Sequence, residues 1–543
     1  MVTDEISARV RDGRAALCQS WAMTAQPDID AITAGYTFDT PSIDLGVLMV
    51  DGTPLTTTRI RLSLSMLNRH GLIAGATGTG KTRTLQLIAE QISRAGVAVF
   101  AADIKGDLSG IAIPGEASEK LLARTQKIGQ DWKPDGCPAE FYSLGGQGAG
   151  VPLRATVSSF GPILLSKVLG LNETQESSLG LVFHYADAQG LPLLDLADLK
   201  EVMLYLTSEE GKPVLRELGG LSSATVGVIL RSLVTLQTQG ADQFFGETEF
   251  DSRDLIRTTT DGKGVISLLE LPNLADRPAI FSTFLMWLLA DLYHDLPEIG
   301  DVDVPKLVFF FDEAHLLFDG ASKAFLDAIG QTVRLIRSKG VGIFFVTQSP
   351  TDVPDTVLAQ LGSRVQHQLR AHTPNDAKAL KATVQTYPTS SYDLAETLQS
   401  LGIGEAIVTV LNPDGAPTPV AWTRMLAPQG SMGPMNPEWL AKGVAASSMQ
   451  SKYGPAINRE SAYEMLVARL QQGAAKAQAE AAAAQQAKQQ TAQSAPAPRA
   501  PRQSSRPAPK SGVEKVLGSP TFWNQVMRVG GEVVRTVWGT ARR

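Results

Sequence analysis

The run Gly75-Ala76-Thr77-Gly78-Thr79-Gly80-Lys81-Thr82 makes the sharpest chemical statement in the chain, because it fits the pattern G-x-x-x-x-G-K-[ST]. Glycines at 75, 78 and 80 let successive backbone N–H groups turn inward around phosphate oxygens at the start of a helix. Lys81 would neutralise β/γ-phosphates, and the Thr82 hydroxyl would ligate Mg²⁺. Arg83 follows directly and is grouped with these contacts. An apolar run from His70 to Ala74 precedes the loop, and TRTLQLIAEQISRAG follows at helical period. That is the strand–loop–helix order a phosphate site needs. The competing reading is a Gly-rich turn before an ordinary helix.

A second motif supplies what the first lacks. Leu307-Val-Phe-Phe-Phe-Asp312-Glu313-Ala-His315 is an apolar strand that ends in two carboxylates. Asp312 would hold the Mg²⁺ ion through its water, and Glu313 would orient and polarise an attacking water. A helix N-cap Asp followed by a first-turn Glu is the plainer alternative. Thr347-Gln348 ends the next apolar strand. The Gln348 amide would reach a γ-phosphate or the lytic water from there, unless it is a loop polar residue before Pro350. Arg334, Arg337 and Arg364 flank these strands, and one of them could act on a neighbouring subunit's site as an arginine finger. For each, a structural salt bridge is the competing role. Asp103-Ile-Lys105-Gly-Asp107-Leu-Ser-Gly110 is either a site loop or a tight turn capped by Asp.

The elements that must position these residues follow from periodicity. Short apolar runs at 71–75, 97–103, 264–271, 306–312, 341–347, 364–370 and 405–411 alternate with helical stretches, which reads as parallel strands with crossover helices. Most are near-continuous in apolar residues, as strands covered on both faces should be. The expected class is α/β with a mainly parallel sheet, over 66–159 and 257–426. Between them, 160–256 reads at helical spacing as an all-helical insertion. Residues 1–65 form a charged helix and a small β-rich lead-in, and 427–470 a helical extension. Residues 471–512 are an Ala/Gln-rich stretch that continues into a disordered Pro/Ser/Arg linker. In 513–543, Trp523, Val526, Met527, Val534, Val537 and Trp538 share one helical stripe. The stripe would pack on its own core or a neighbour, dock a protein partner, or meet DNA or a membrane surface; amphipathicity alone does not choose.

Composition narrows the setting. The 543 residues carry a formal net charge of −6. From Pro496 onward nine basic residues face two acidic ones, so the tail carries +7 and the body −13. An acidic body excludes a general basic coat for duplex nucleic acid and confines any DNA contact to pore loops or the tail. Lys105, Lys323 and Lys339 lie near loops that could line such a pore. Cys18 and Cys137 are isolated, which excludes a disulfide framework and a four-ligand zinc site. No stretch approaches the roughly 20 apolar residues of a membrane-spanning helix, so the expected setting is cytoplasmic.

The set GATGTGKT, DIKGDLSG, FFFDEAH and VTQSP resembles the HerA/FtsK class of P-loop ATPases, in particular the bacterial HerA-like proteins, over roughly residues 40–426. The resemblance implies a RecA-like P-loop NTPase core, ATP and Mg²⁺ as cofactors, and a homo-oligomer, a ring of six, with ATP bound between neighbours. It implies phosphate and metal contacts at Lys81 and Thr82, metal and water carboxylates at Asp312 and Glu313, and a sensor at Gln348. Arg337 is the first choice for the trans finger and Arg364 the second. The lead-in is too short for the full β-barrel such proteins carry, which puts partner docking of that kind in doubt. A DNA translocase or helicase is the leading functional expectation. A non-motor ATPase acting as a scaffold or switch for protein partners is the alternative, and a phosphotransferase is a third that Glu313 argues against.

Overall fold

The computed structural model describes residues 28–493, apart from 147, 218, 272–277 and 320. The charged N-terminal stretch to residue 27, the Pro/Ser/Arg part of the linker and the basic tail therefore lie outside the described residues. The chain divides into two compact units, Met1–Leu470 and Gln471–Arg543. The described part of the second, 471–493, is helical, and its Ala/Gln-rich composition favours that state.

The first unit is built on one sheet of twelve strands. They are β1 (Ser42–Val50), β2 (Thr53–Ser63), β3 (Gly71–Ala74), β4 (Ala98–Asp103), β5 (Ala139–Leu144), β6 (Val151–Leu153), β7 (Ile266–Glu270), β8 (Leu307–Phe311), β9 (Val341–Thr347), β10 (Ser363–Gln366), β11 (Glu405–Thr409) and β12 (Ala421–Met425). Their order across the sheet is β2-β1-β12-β11-β10-β3-β9-β8-β4-β7-β5-β6. From β10 to β6 every pairing is parallel. Residues of β3, β4, β7, β8 and β9 are buried throughout, so both faces must be covered by helices, as their unbroken apolar runs require. The core is RecA-like, and one strand, β9, separates the phosphate-loop strand β3 from the carboxylate strand β8.

Three strands escaped the periodicity argument. AEFYSL and VPL are short and partly polar, and AWTRM alternates, as an antiparallel strand should. The lead-in also differs from a separate β unit. β1 and β2 form a hairpin through Asp51 and Gly52, both at positive φ (48° and 74°), the primed-turn geometry that matches strand twist. β1 then pairs antiparallel with β12, extending the core sheet. Gly46 permits this docking, since a Cβ there would lie 2.3 Å from the Arg424 carbonyl oxygen.

The insertion between β6 and β7 is helical: Val157–Val168, Glu173–Ala188, Leu196–Thr207, Lys212–Glu217 and Ser223–Thr238. Asn172 and Asp195 each start a helix with a reciprocal capping box, which satisfies orphan N–H groups in the first turns of those helices. After β12 the chain crosses the phosphate-loop helix Lys81–Arg94 as a strap. Glu90, fully buried on that helix, accepts the Gln429 and Gly430 amides at 2.7 and 2.8 Å. Farther along the strap, Met435 N–H donates to Ser109 Oγ at 3.0 Å.

Candidate nucleotide site

The site gathers at the carboxyl ends of β3, β4, β8 and β9, where open α/β sheets bind ligands. The glycines take up the backbone freedom the loop needs. Gly78 and Gly80 have φ of 80° and 119°, and a Cβ on Gly75 would lie 2.5 Å from the His367 side chain. The loop is held from outside by Ala76 N–H donating to Gln368 O (2.8 Å) and by Gly404 N–H donating to Thr79 O (2.9 Å). Beneath it His367 is fully buried. Its Nε2 lies 2.9 Å from Thr84 Oγ1 and its Nδ1 2.8 Å from Glu405 O. Burial pulls this imidazole down to about 4, so it is neutral at pH 7. This turn also explains why β10 stops at Gln366: the chain leaves the sheet to support the loop.

Lys81 is buried at the head of its helix, with Nζ donating to Gly75 O at 2.7 Å. Burial pulls it below the usual lysine range, against the opposing field of Glu313. Thr82 and Arg83 are half-buried beside it, and Arg83 donates to Gln86 Oε1 at 3.2 Å. Asp312 is 1% exposed. Burial, then the adjacent Glu313 carboxylate, push it up to about 7. Its Oδ1 accepts the Glu313 amide at 2.9 Å, whereas its Oδ2 is buried with no hydrogen-bond partner. A buried carboxylate oxygen left over at the end of β8, and a half-buried hydroxyl at the head of the loop's helix, fit Mg²⁺, which takes few protein ligands and shares the rest with phosphates and water. Thr82 and Asp312 could hold it; no group of three or more His, Cys, Asp or Glu that could hold a metal occurs among the described residues.

Glu313 sits in the left-handed region at φ 47°, a strained state for a residue with a side chain. Its Oε1 takes a hydrogen bond from Lys105 Nζ, and its Oε2 lies 3.2 Å from His315 Nδ1. Burial raises the Glu313 pKa, but Lys105, His315 and Lys81 outweigh it and hold the carboxyl below its usual range. Lys105 comes from the loop after β4, whose turn Asp103 closes by accepting the Gly106 and Leu108 amides at 2.7 Å each. The loop is thus both a capped turn and a wall of the site. Glu270, at the end of β7, faces the same loop, and burial with Asp103 and Asp107 raises it to about 8.

Gln348 is exposed at the end of β9, facing a cleft of about 540 Å³ with His315 and Asp352. The arginines lie elsewhere. Arg337 precedes β9, at the opposite end of the sheet from the loop, and donates to Asp301 Oδ1 at 2.8 Å. Arg69 reaches the other oxygen of the same carboxylate at 3.5 Å. Arg364, on β10, donates to Thr386 O at 3.3 Å, and Arg334 and Lys323 are exposed on the helix Lys323–Ile336. Lys339 is not available to a pore: it is 8% exposed, donates to Leu296 O at 2.8 Å and rests 5.0 Å from the Tyr293 ring. A lysine beside a loop reads as solvated, but this one lies over an aromatic ring with a carbonyl to bind. His367, Arg69 and the Glu313 contact of Lys105 were not singled out from the residues, since each depends on contacts remote in sequence.

A glycine-lined loop at a helix start, a buried Asp–Glu pair two strands away and a mostly parallel sheet define a P-loop nucleoside triphosphatase fold of RecA type. Within that class the chain belongs to the HerA-like helicase C-terminal family, whose model matches residues 50–543. Among curated relatives, a probable helicase of Methanocaldococcus jannaschii, MJECL08, is 24% identical over 395 residues, 68% of this chain and 68% of the relative. The DNA double-strand break repair helicase HerA of Sulfurisphaera tokodaii is 22% identical over 405 residues, 72% of this chain and 74% of the relative. Among solved structures, the bacterial conjugative coupling protein TrwB aligns with TM-score 0.48 at 14% identity, covering 75% of this chain and 94% of that one. VirB4 of Thermoanaerobacter pseudethanolicus gives 0.45 at 15%, covering 72% and 97%. No helix among the described residues is long and apolar enough to cross a membrane.

Proposed function

We propose that the chain hydrolyses ATP and couples the hydrolysis to movement on DNA as a ring of identical subunits. The observation that carries the hydrolytic part is Glu313: a buried, ionised carboxylate in a strained backbone position, one residue past Asp312 and across β9 from the phosphate loop. In this reading the loop N–H groups and Lys81 bind the phosphates, and Thr82 and Asp312 hold Mg²⁺, which supplies charge neutralisation at the phosphates. Glu313 accepts the proton of the attacking water, and Gln348 orients that water. The relatives' names as DNA repair helicases support DNA as the track. Arg337 and Arg69, paired on Asp301 at the far end of the sheet, serve a neighbour's nucleotide. A ring brings that end against the next subunit's loop.

The test is the ATPase rate with and without single- and double-stranded DNA at low salt, read beside the oligomer mass. Lys81→Ala and Glu313→Gln should each lower turnover about 10²-fold or more. A rate indifferent to DNA favours the second reading, a nucleotide-controlled scaffold for protein partners, which the −13 charge of the first 495 residues supports.

A further inference from the structure

Two clefts open from opposite ends of the phosphate loop, and their linings differ. One, about 590 Å³, runs from Gly80 and Arg83 past Lys120, Arg124 and Arg424 to Met425 and Met432. The other, about 500 Å³, is bounded by Ala76, Thr77, Gln348, Asp352, Arg370 and Asn375. Gln348, which orients the attacking water in the reading above, lines the second cleft and not the first, so a nucleotide on this loop runs with its terminal phosphate toward Ala76 and Thr77.

Two carboxylates reach the second cleft, and both are engaged by the backbone. Asp352 Oδ2 accepts Thr347 Oγ1 at 2.7 Å and the Ser349 amide at 2.8 Å. Asp376 Oδ2 accepts the His372 and Thr373 amides at 3.1 and 2.9 Å. Arg370 is the cation of this lining, exposed, with no carboxylate within ion-pair distance among the described residues. Its neighbours fix its backbone: Leu369 N–H donates to Leu398 O at 2.9 Å, and Gln368 O accepts the Ala76 amide of the loop itself. A permanently charged, planar donor on a rigid segment tied to the phosphate loop is built to meet an anion there.

We propose that Arg370 contacts the terminal phosphate of the nucleotide held by the same chain's phosphate loop, and so distinguishes a triphosphate from a diphosphate. This rests on the nucleotide-site reading above. The experiment measures affinities of the full chain, with Mg²⁺, for ADP and for a non-hydrolysable ATP analogue. Arg370→Ala should weaken the analogue about tenfold or more and leave ADP unchanged, with Arg370→Lys between the two. Equal weakening of both nucleotides, or of neither, overturns the proposal. Loss of DNA binding with the ATP/ADP ratio intact also overturns it and makes Arg370 a DNA contact. Lys81→Ala is the separate control: if that variant still binds both nucleotides normally, the underlying site reading has failed instead.

Discussion

Lys105 Nζ donates to Glu313 Oε1, joining the loop after β4 to the carboxylate that ends β8. The lysine is partly exposed and the glutamate nearly buried, so the contact is a fixed salt bridge on one side only. It sets where the Glu313 carboxylate points. Lys105→Met should lower kcat for ATP about 10- to 100-fold with little change in KM, because the phosphate loop is untouched. Lys105→Arg should recover part of the loss. Steady-state ATPase kinetics decide, and an unchanged kcat for the methionine variant would remove Lys105 from any positioning role.

Arg337 and Arg69 share Asp301 at the end of the sheet away from the loop, so neither can serve its own chain's phosphates. In mixtures of wild type with Arg337→Ala or Arg69→Ala subunits, ATPase activity should fall more steeply than the fraction of variant added. A straight-line loss in both titrations argues against a shared site.

His367 links stability to pH. Its folded value is depressed to about 4 by burial, against 6.5 unfolded. Between those values the unfolded chain binds a proton that the folded chain refuses. The stability it contributes is therefore whole above pH 6.5 and drains as pH falls toward 4, by about 1.4 kcal/mol per pH unit. His367→Gln lacks this loss, so its deficit relative to wild type in urea unfolding should shrink from pH 7.5 to 5. Parallel stability–pH curves would refute the assignment. Taking the difference between variants cancels Glu270 and Asp312, whose raised values act with the opposite sign.

The strap is equally testable. A Cβ on Gly110 would meet the Gly433 carbonyl oxygen at 2.0 Å and that of Ser431 at 2.7 Å, backbone against backbone. Gly110→Ala should cost about 1–3 kcal/mol of stability. An unfolding midpoint equal to wild type would mean that the strap moves aside freely.

The glycine loop and the Asp312–Glu313 pair were legible in the residues because their geometry is local: a few φ angles and two neighbouring charges. The buried strands were legible for a related reason, since a strand covered on both faces must be apolar throughout. His367 was not, because its meaning lies in contacts to Thr84, 283 residues away in the chain. Arg69 depends in the same way on Asp301, 232 residues on. Lys339 misled because nothing in its surroundings in the chain announces the Tyr293 ring. β12 and the lead-in hairpin were missed as part of the sheet because each needs the other to close its edge.

The place of β3 in the sheet has a temporal consequence. Both its neighbours, β9 and β10, are made long after it, and even the bond from Ile343 to His70 spans 273 residues. At synthesis rates of about 5–20 residues per second, the loop-bearing strand waits about 15–55 s for a partner on either side. A ribosome-bound chain stopped before β9 holds the whole G-x-x-x-x-G-K-T motif and yet lacks the strand that joins β3 to β8, β4, β7, β5 and β6. Nucleotide should bind only once β9 and β10 have emerged.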